Sequence, residues 1–156
     1  MRDIAKPGTP LEETDPLRAT LNASTICDVY EGLPHQLFEK KSLEREVKRD
    51  DVFWIYDFPF YTRKSDAIPK ILDFFGNQEN FEPWVMEKRC GGFHPDFAVT
   101  WNHDGSEASV LVCFGCHEVL YVHKGAVFRY DWKRDVDPTE LFNNYSYNRP
   151  PYSFER

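Results

Sequence analysis

Residues 96–132 read DFAVTWNHDGSEASVLVCFGCHEVLYVHKGAVFRYDW, and this part of the chain carries the clearest turn signals. Asp104-Gly105 is a strong signal for a two-residue hairpin turn, and Lys124-Gly125 is a second candidate turn. Apolar residues alternate with polar ones before the first pair and after the second. The pattern therefore predicts a three-stranded antiparallel meander, with strands at about 96–103, 106–123 and 126–132.

The two-residue loop at Asp104-Gly105 also sets the register between the first two strands. It places Asp96 opposite Cys113 and His94 opposite Gly115. Because neighbouring strands lie about 4.8 Å apart, the motifs CGGFHPD and CFGCH should run alongside each other. Two motifs that are separate in the sequence are thus predicted to form one spatial cluster.

The predicted cluster contains five soft or borderline metal ligands. They are Cys90, His94, Cys113, Cys116 and His117. In a regular strand Cys113 and Cys116 point to opposite faces, so both sulfurs meet only if a bulge forms at Gly115. Tetrahedral zinc takes four such ligands at about 2.0–2.3 Å, and the cluster therefore predicts a zinc site. Asp96 and Glu118 could act as general bases on a metal-bound water, but whether the chain is an enzyme stays open.

Three other interpretations of the cysteines stay open. The thiols could be packed and inert, as buried cysteines often are. They could form a redox pair, either Cys113 with Cys116 or Cys90 with one of the two. The letters CFGCH also spell the attachment motif for c-type haem. Covalent haem at Cys113, Cys116 and His117 is disfavoured, because haem is attached outside the cytosol and because the motif falls inside a predicted strand rather than before a helix. The thiols of a cytosolic protein are expected to be reduced.

The chain has 156 residues, which fits one domain with a sizeable core. Residues 1–20, which contain three prolines, are predicted to be an extended arm. Residues 21–156 are predicted to form a single α+β domain, built on a mainly antiparallel sheet with two or three short helices. The further elements expected are a strand at 22–31, a helix at 35–49, a strand at 52–56 ended by Pro59, helices at 65–76 and after Asp137, and an extended tail at 148–154.

The net charge of −7 argues against a nucleic-acid partner, which would need clustered Lys and Arg. No apolar segment approaches the roughly 18 residues that span a bilayer. The first residues do not resemble a signal peptide, so a cytoplasmic protein is expected, although removal of a signal would leave the same sequence. An alternative function is an acidic interaction or inhibitor protein that masks a basic partner surface. The sequence leaves the oligomeric state open.

Four blocks of the sequence resemble a set of small, uncharacterised bacterial proteins in which they occur in the same order. The blocks are EGLPHQ (31–36), CGGFHPD (90–96), CFGCHE (113–118) and YNRP (147–150). The resemblance implies no reaction. It implies that eight residues belong to one site: His35, Cys90, His94, Asp96, Cys113, Cys116, His117 and Glu118.

Overall fold

A computed structural model of the chain describes residues 7–32, 66–88 and 93–145, together with the backbone of residues 47–49 and 54–60. The strands are β1 (Asp28–Gly32), β2 (Val47–Arg49), β3 (Trp54–Phe60), β4 (Phe81–Pro83), β5 (Phe97–His103), β6 (Ser106–Cys113), β7 (Glu118–His123) and β8 (Ala126–Trp132). The helices are α1 (Asp15–Ala23) and α2 (Ala67–Gly76), with 3₁₀ helices at Leu11–Thr14, Gln78–Asn80 and Thr139–Tyr145.

In these residues the strands form one eight-stranded sheet in the order β2-β3-β1-β5-β6-β7-β8-β4. Every pairing between neighbours in this sheet is antiparallel. The chain is therefore a single α+β domain on an antiparallel sheet, as the turn signals predicted. None of the described helices is long and apolar enough to cross a membrane.

Both glycine-containing turns form as predicted, because both of their central residues adopt positive φ. The φ values are 49° and 79° at Asp104-Gly105, and 48° and 82° at Lys124-Gly125. Turns of this hand match the twist of the strands that they join. The predicted register of the first hairpin is confirmed, since Phe97 pairs with Val112 and His103 with Ser106.

The single strand predicted at 106–123 is wrong, because β6 and β7 are separate strands. A turn at residues 114–117 joins them, and Cys113 pairs with Glu118 across it. The backbone N–H of His117 donates to the Phe114 carbonyl at 3.2 Å, and His117 has a φ of 57°. The meander consequently has four strands, and Gly115 lies in a turn rather than in a bulged strand.

The two faces of the sheet bury different side chains, because successive residues of a strand point to opposite sides. One face, here called the helix face, packs Val99, Val110 and Tyr121 against α1 and α2 in the main core. The other, here called the second face, carries a smaller apolar cluster that includes Leu111 and Leu120. Cys113 follows Leu111 by two positions and therefore lies on the second face.

The prediction of an extended arm at residues 1–20 is wrong for the part that the structure describes. Residues 11–23 form a 3₁₀ turn followed by α1, and Leu17, Arg18 and Leu21 are buried. The guanidinium of Arg18 donates to the Thr14 hydroxyl and to the Leu11 carbonyl. The buried Arg18 thus stabilises the start of a helix that the prolines of this segment did not suggest. Pro16 lies in the first turn of α1, where proline is tolerated.

The remaining element predictions have mixed outcomes. The helix predicted at 65–76 is confirmed as α2, with Ile68, Ile71 and Phe75 buried. The helix after Asp137 is a 3₁₀ helix. The strand expected at 22–31 begins only at Asp28, after α1 ends.

The predicted end of the next strand at Pro59 is wrong. β3 continues through Pro59, which pairs with Tyr30 next to a register shift. Residues 47–49 are strand rather than helix, and the predictions for residues 33–46 and 148–154 lie outside the described residues.

Candidate functional site

A free thiol, an imidazole and a carboxyl group meet where β5 begins and β6 ends. The Sγ atom of Cys113 lies 3.9 Å from Nδ1 of His94. Nε2 of His94 lies 3.9 Å from Oδ1 of Asp96. Backbone N–H groups of His94 and Cys116 donate hydrogen bonds to the Cys113 sulfur. We call His94, Asp96, Cys113 and Cys116 the thiol site.

Backbone contacts hold Asp96 in this position. Its N–H donates to the Val112 carbonyl at 2.7 Å, and its carbonyl accepts from the Gly32 N–H at 2.8 Å. Its Oδ2 accepts from the Phe114 N–H at 2.5 Å. A Cβ at Gly32 would lie 1.8 Å from the Pro95 carbonyl oxygen, so β1 can approach this segment only because residue 32 is glycine. Asp96 is therefore held by hydrogen bonds from β1 on one side and from the turn at 114–117 on the other.

Burial governs the chemistry of Cys113. The side chain is fully buried, and this burial is the main reason that the pKa of the thiol is raised to about 11. The backbone hydrogen bond from His94 lowers the pKa, the negative charges of Asp96 and Glu118 raise it, and the bond from Cys116 lowers it. Without a metal or a base, Cys113 is therefore a protonated thiol at neutral pH.

Cys116 is bonded in a disulfide, and neither Cys27 nor Cys113 takes part in it. The expectation that the thiols are reduced is therefore wrong at Cys116. The disulfide does not join Cys113 to Cys116, which was one of the predicted redox pairs. The fourth cysteine of the sequence, Cys90, lies outside the described residues, as does His35.

His117 does not join the thiol site. Its ring stacks on Trp132 at a centroid distance of 5.2 Å and an interplanar angle of 24°. Trp132 belongs to the core of the helix face, whereas Cys113 lies on the second face. The turn at 114–117 therefore separates two residues that are only four positions apart, and the role of His117 as a ligand stays a prediction.

Glu118 lies next to Cys113 in the sheet but belongs to a network of its own. Its Oε1 accepts from the Trp84 indole N–H at 3.0 Å, and its Oε2 accepts from Arg129 Nη2 at 2.6 Å. Burial raises the pKa of Glu118, while the hydrogen bonds and charge of Arg129 lower it. Both oxygens are thus held by protein donors, which leaves Glu118 poorly placed for the predicted role of general base.

The network around Glu118 contains residues that the sequence analysis did not identify. We call it the ion cluster, and it consists of Trp84, Glu87, Lys88, Glu118, Arg129 and Asp131. Arg129 also donates to Glu87 at 2.9 Å, and Lys88 Nζ lies 2.7 Å from Asp131 Oδ2. The Lys124-Gly125 turn could have revealed that Glu118 pairs with Asp131, because it sets that register. Nothing local indicated that residues 84–88 reach this strand pair.

In the part of the chain that the structure describes, no group of three or more His, Cys, Asp or Glu side chains could hold a metal ion. A cleft of about 340 Å³ lies elsewhere, near the Asp104-Gly105 turn, with Cys27, Asp28, Thr100 and Glu107 in its walls. It is at the opposite end of the β5–β6 hairpin from Cys113. Within the thiol site, Cys113 and His94 offer ligand atoms, Cys116 is held in a disulfide, and Asp96 lies behind the ring of His94.

No family model, no curated protein and no solved structure matches the chain. The resemblance of the four sequence blocks therefore remains a prediction.

Proposed function

We propose that the protein binds zinc at the thiol site when its cysteines are reduced. Cys113 and His94 are two of the ligands, and the thiols of Cys116 and Cys90 are the other two. The observation that carries this proposal is the distance of 3.9 Å between Cys113 Sγ and His94 Nδ1. It supports a site in which one ion contacts both atoms.

The distance agrees with tetrahedral coordination. With Zn–S near 2.3 Å and Zn–N near 2.0–2.1 Å, a tetrahedral angle separates sulfur and nitrogen by about 3.6 Å. Asp96 lies behind the other ring nitrogen of His94, which is where a carboxylate orients a metal-bound histidine. The two backbone N–H groups aimed at the Cys113 sulfur also favour a thiolate.

Zinc would offset the effect of burial on Cys113. Burial favours the protonated thiol, while a zinc ion stabilises the thiolate and releases the proton. Four protein ligands would close the coordination sphere, so the site is structural rather than catalytic. Asp96 then orients His94 and is not a general base.

The test is a zinc titration of the reduced protein under anaerobic conditions, with a chromophoric chelator as competitor. We expect one zinc ion per chain in the wild type, in Cys27→Ser and in His117→Asn. Asparagine suits the last variant because it tolerates the positive φ of residue 117. We expect no stoichiometric zinc in Cys113→Ser or in the oxidised wild type.

Two results would refute the zinc proposal. One is a reduced wild type that binds no zinc, and the other is a Cys113→Ser variant that binds it as tightly as the wild type does. A metal-free protein whose thiols resist alkylation would instead favour the acidic interaction protein as the function. A pull-down with basic partner proteins would then be the next experiment.

A further inference from the structure

We propose that Ser106 and His123 form a nucleophile–base pair that hydrolyses small esters. The two residues lie at the same end of the sheet, where β6 begins and β7 ends. The distance between Ser106 Oγ and His123 Nε2 is 2.8 Å, which is the reach at which a histidine takes the proton of an attacking hydroxyl. Neither residue belongs to the thiol site, so this activity is separate from zinc binding.

The pair is open to a small molecule. Ser106 and His123 are each half-buried. Ser106 also lines the cleft of about 340 Å³ near the Asp104-Gly105 turn. A cleft of this size is at the lower end of the range for ligand sites in proteins. Ser106 therefore lies beside a space that a small substrate can enter.

A second histidine fixes the ring of His123. The rings of His103 and His123 meet edge to face, with centroids 4.5 Å apart and an interplanar angle of 88°. His103 is held in turn by α1, since its Nδ1 lies 2.9 Å from Thr20 Oγ1. The Thr20 hydroxyl donates its one proton to the Leu17 carbonyl, so Nδ1 of His103 carries the proton of the contact with Thr20. His103 is therefore a positioning residue for the base.

The surroundings of His123 leave its imidazole able to accept a proton. Burial and the charges of His103 and Lys124 lower the pKa of His123, while the charge of Asp104 raises it. The pKa of His123 therefore lies below its ordinary value of 6.5, and the ring is neutral at pH 7. A neutral imidazole is the form that acts as a general base.

The cleft also contains a donor for the carbonyl oxygen of an ester. Asn102 lies in its wall. The Oδ1 of Asn102 accepts from the Gly105 N–H at 3.1 Å, which fixes the orientation of the amide and leaves its NH₂ group to a ligand. A side-chain amide in such a place stabilises the negative charge that develops on the oxygen during attack.

The walls of the cleft indicate the class of ester. Trp101 and the 54% exposed Ile26 supply apolar surface for a short acyl chain. The carboxyl groups of Asp28 and Glu107 make the cleft acidic. These charges disfavour a substrate that carries its own carboxylate. The substrate class is therefore a neutral or cationic ester of a short-chain acid.

The reaction takes two balanced steps. In the first, Ser106 Oγ bonds to the carbonyl carbon, its proton passes to His123 Nε2, and the alcohol leaves with that proton. In the second, water attacks the acyl group on Ser106, His123 again transfers the proton, and the acid is released. The resting hydroxyl donates to the His103 carbonyl at 3.0 Å, so it rotates to Nε2 before the first step.

Covalent labelling and turnover test the pair in the folded protein. A small fluorophosphonate forms a bond from phosphorus to the serine oxygen and loses fluoride, so it marks a reactive serine. Trypsin releases residues 90–124 as one peptide after reduction and alkylation, because no Lys or Arg lies between Arg89 and Lys124. Fragmentation of the peptide locates the label, and p-nitrophenyl acetate measures hydrolysis. Circular dichroism verifies that each variant is folded.

We expect the label on Ser106 in the wild type. Ser106→Ala should lose both the label and the hydrolysis. His123→Gln should slow both by about 10²–10⁴-fold, because glutamine keeps a hydrogen-bonding group but does not take up a proton. The matched control is Ser109→Ala, which changes a buried serine of the same strand and should keep the labelling rate of the wild type.

The pH profile of the wild type tests the base without any substitution. The labelling rate should be constant above pH 6.5 and should fall at lower pH as His123 takes up a proton. A rate that does not fall between pH 6.5 and pH 4 would overturn the inference. An unlabelled Ser106 in folded wild type, or equal rates in the wild type and His123→Gln, would overturn it as well.

Discussion

Among single residues, Asp131 is a buried carboxyl group that has an ion pair on one oxygen only. It lies directly opposite Glu118 in the β7–β8 pair, and both side chains are buried. Lys88 holds its Oδ2, but its buried Oδ1 accepts no hydrogen bond in the described part of the chain. Burial raises the pKa of Asp131, and the hydrogen bond and charge of Lys88 lower it.

Asp131→Asn should therefore gain stability relative to the wild type as the pH rises. The pKa of Asp131 in the folded protein lies above its ordinary value of 3.8. The stability that this shift contributes to the fold is therefore complete below pH 3.8, and it is lost as the pH rises through the pKa of the folded state. The amide does not titrate and has no such loss. Urea unfolding at about pH 3.5 and pH 7 measures the difference.

The exposed Asp135→Asn is the matched control for this comparison. Its free energy of unfolding relative to the wild type should change little between the two pH values. The same relative stability of Asp131→Asn at both pH values would contradict the prediction.

Among the elements, residues 84–88, which follow β4, bind to the β7–β8 pair through the ion cluster. Trp84 donates to Glu118, and Glu87 and Lys88 pair with Arg129 and Asp131. The Arg129 guanidinium also lies 4.2 Å from the centroid of the Trp84 ring, a cation–π contact. Because Glu118 pairs with Cys113 across the turn at 114–117, the cluster supports one wall of the thiol site.

Arg129→Met should destabilise the protein by about 3–5 kcal/mol, since it leaves the fully buried Glu118 without its counter-charge. Methionine keeps an unbranched apolar stem against Trp84, so loss of charge dominates the change. Urea unfolding at pH 7 gives the free energy. Lys133→Met is the control, because it removes the exposed ion pair with Glu79 and should cost only about 0–1 kcal/mol. Equal losses in the two variants would show that burial of the pair does not matter.

At the scale of the whole molecule, the thiol site connects the two halves of the sheet. β1 and β3 reach it through the contact of Gly32 with Asp96, and β6 to β8 reach it through Cys113 and Glu118. A metal bound there would contact native structure that the unfolded chain lacks. Binding is therefore expected to stabilise the fold as a whole.

Chelation should lower the melting temperature of the reduced, zinc-bound protein by roughly 10 °C. Zinc at a thousandfold excess over its Kd stabilises by about 4 kcal/mol, and about 1 kcal/mol corresponds to roughly 2–4 °C for a chain of this size. Thermal unfolding with and without chelator measures the shift. Cys116→Ser should abolish the chelator effect, and Cys27→Ser should retain it even if its own melting temperature is lower.

The oxidised protein gives the opposite expectation for chelator. Cys116 is held in the disulfide and cannot bind the metal, so chelator should leave the melting temperature unchanged. A chelator effect of equal size before and after reduction would mean that the metal binds elsewhere.

Features that depend on local backbone chemistry could be predicted from the sequence. Asp104-Gly105 and Lys124-Gly125 specify turns because their residues accept positive φ, and the first turn sets the register that brings Asp96 beside Cys113. The apolar spacing of Ile68, Ile71 and Phe75 specifies α2 for a similar reason, since it matches the helical period. The α+β class and the grouping of His94 with Cys113 follow from these local signals.

Features that depend on contacts between distant segments became visible only in the folded chain. The turn at 114–117 places a histidine at positive φ, where no Asn-Gly or Asp-Gly signal exists, and this turn sends His117 to the helix face. In α1 the buried Arg18 donates to Thr14 and to the Leu11 carbonyl, and in the ion cluster Trp84 donates to Glu118 across 34 positions of sequence. Local propensity carries no information about such partners, because their energy arises only when separate segments exclude water together.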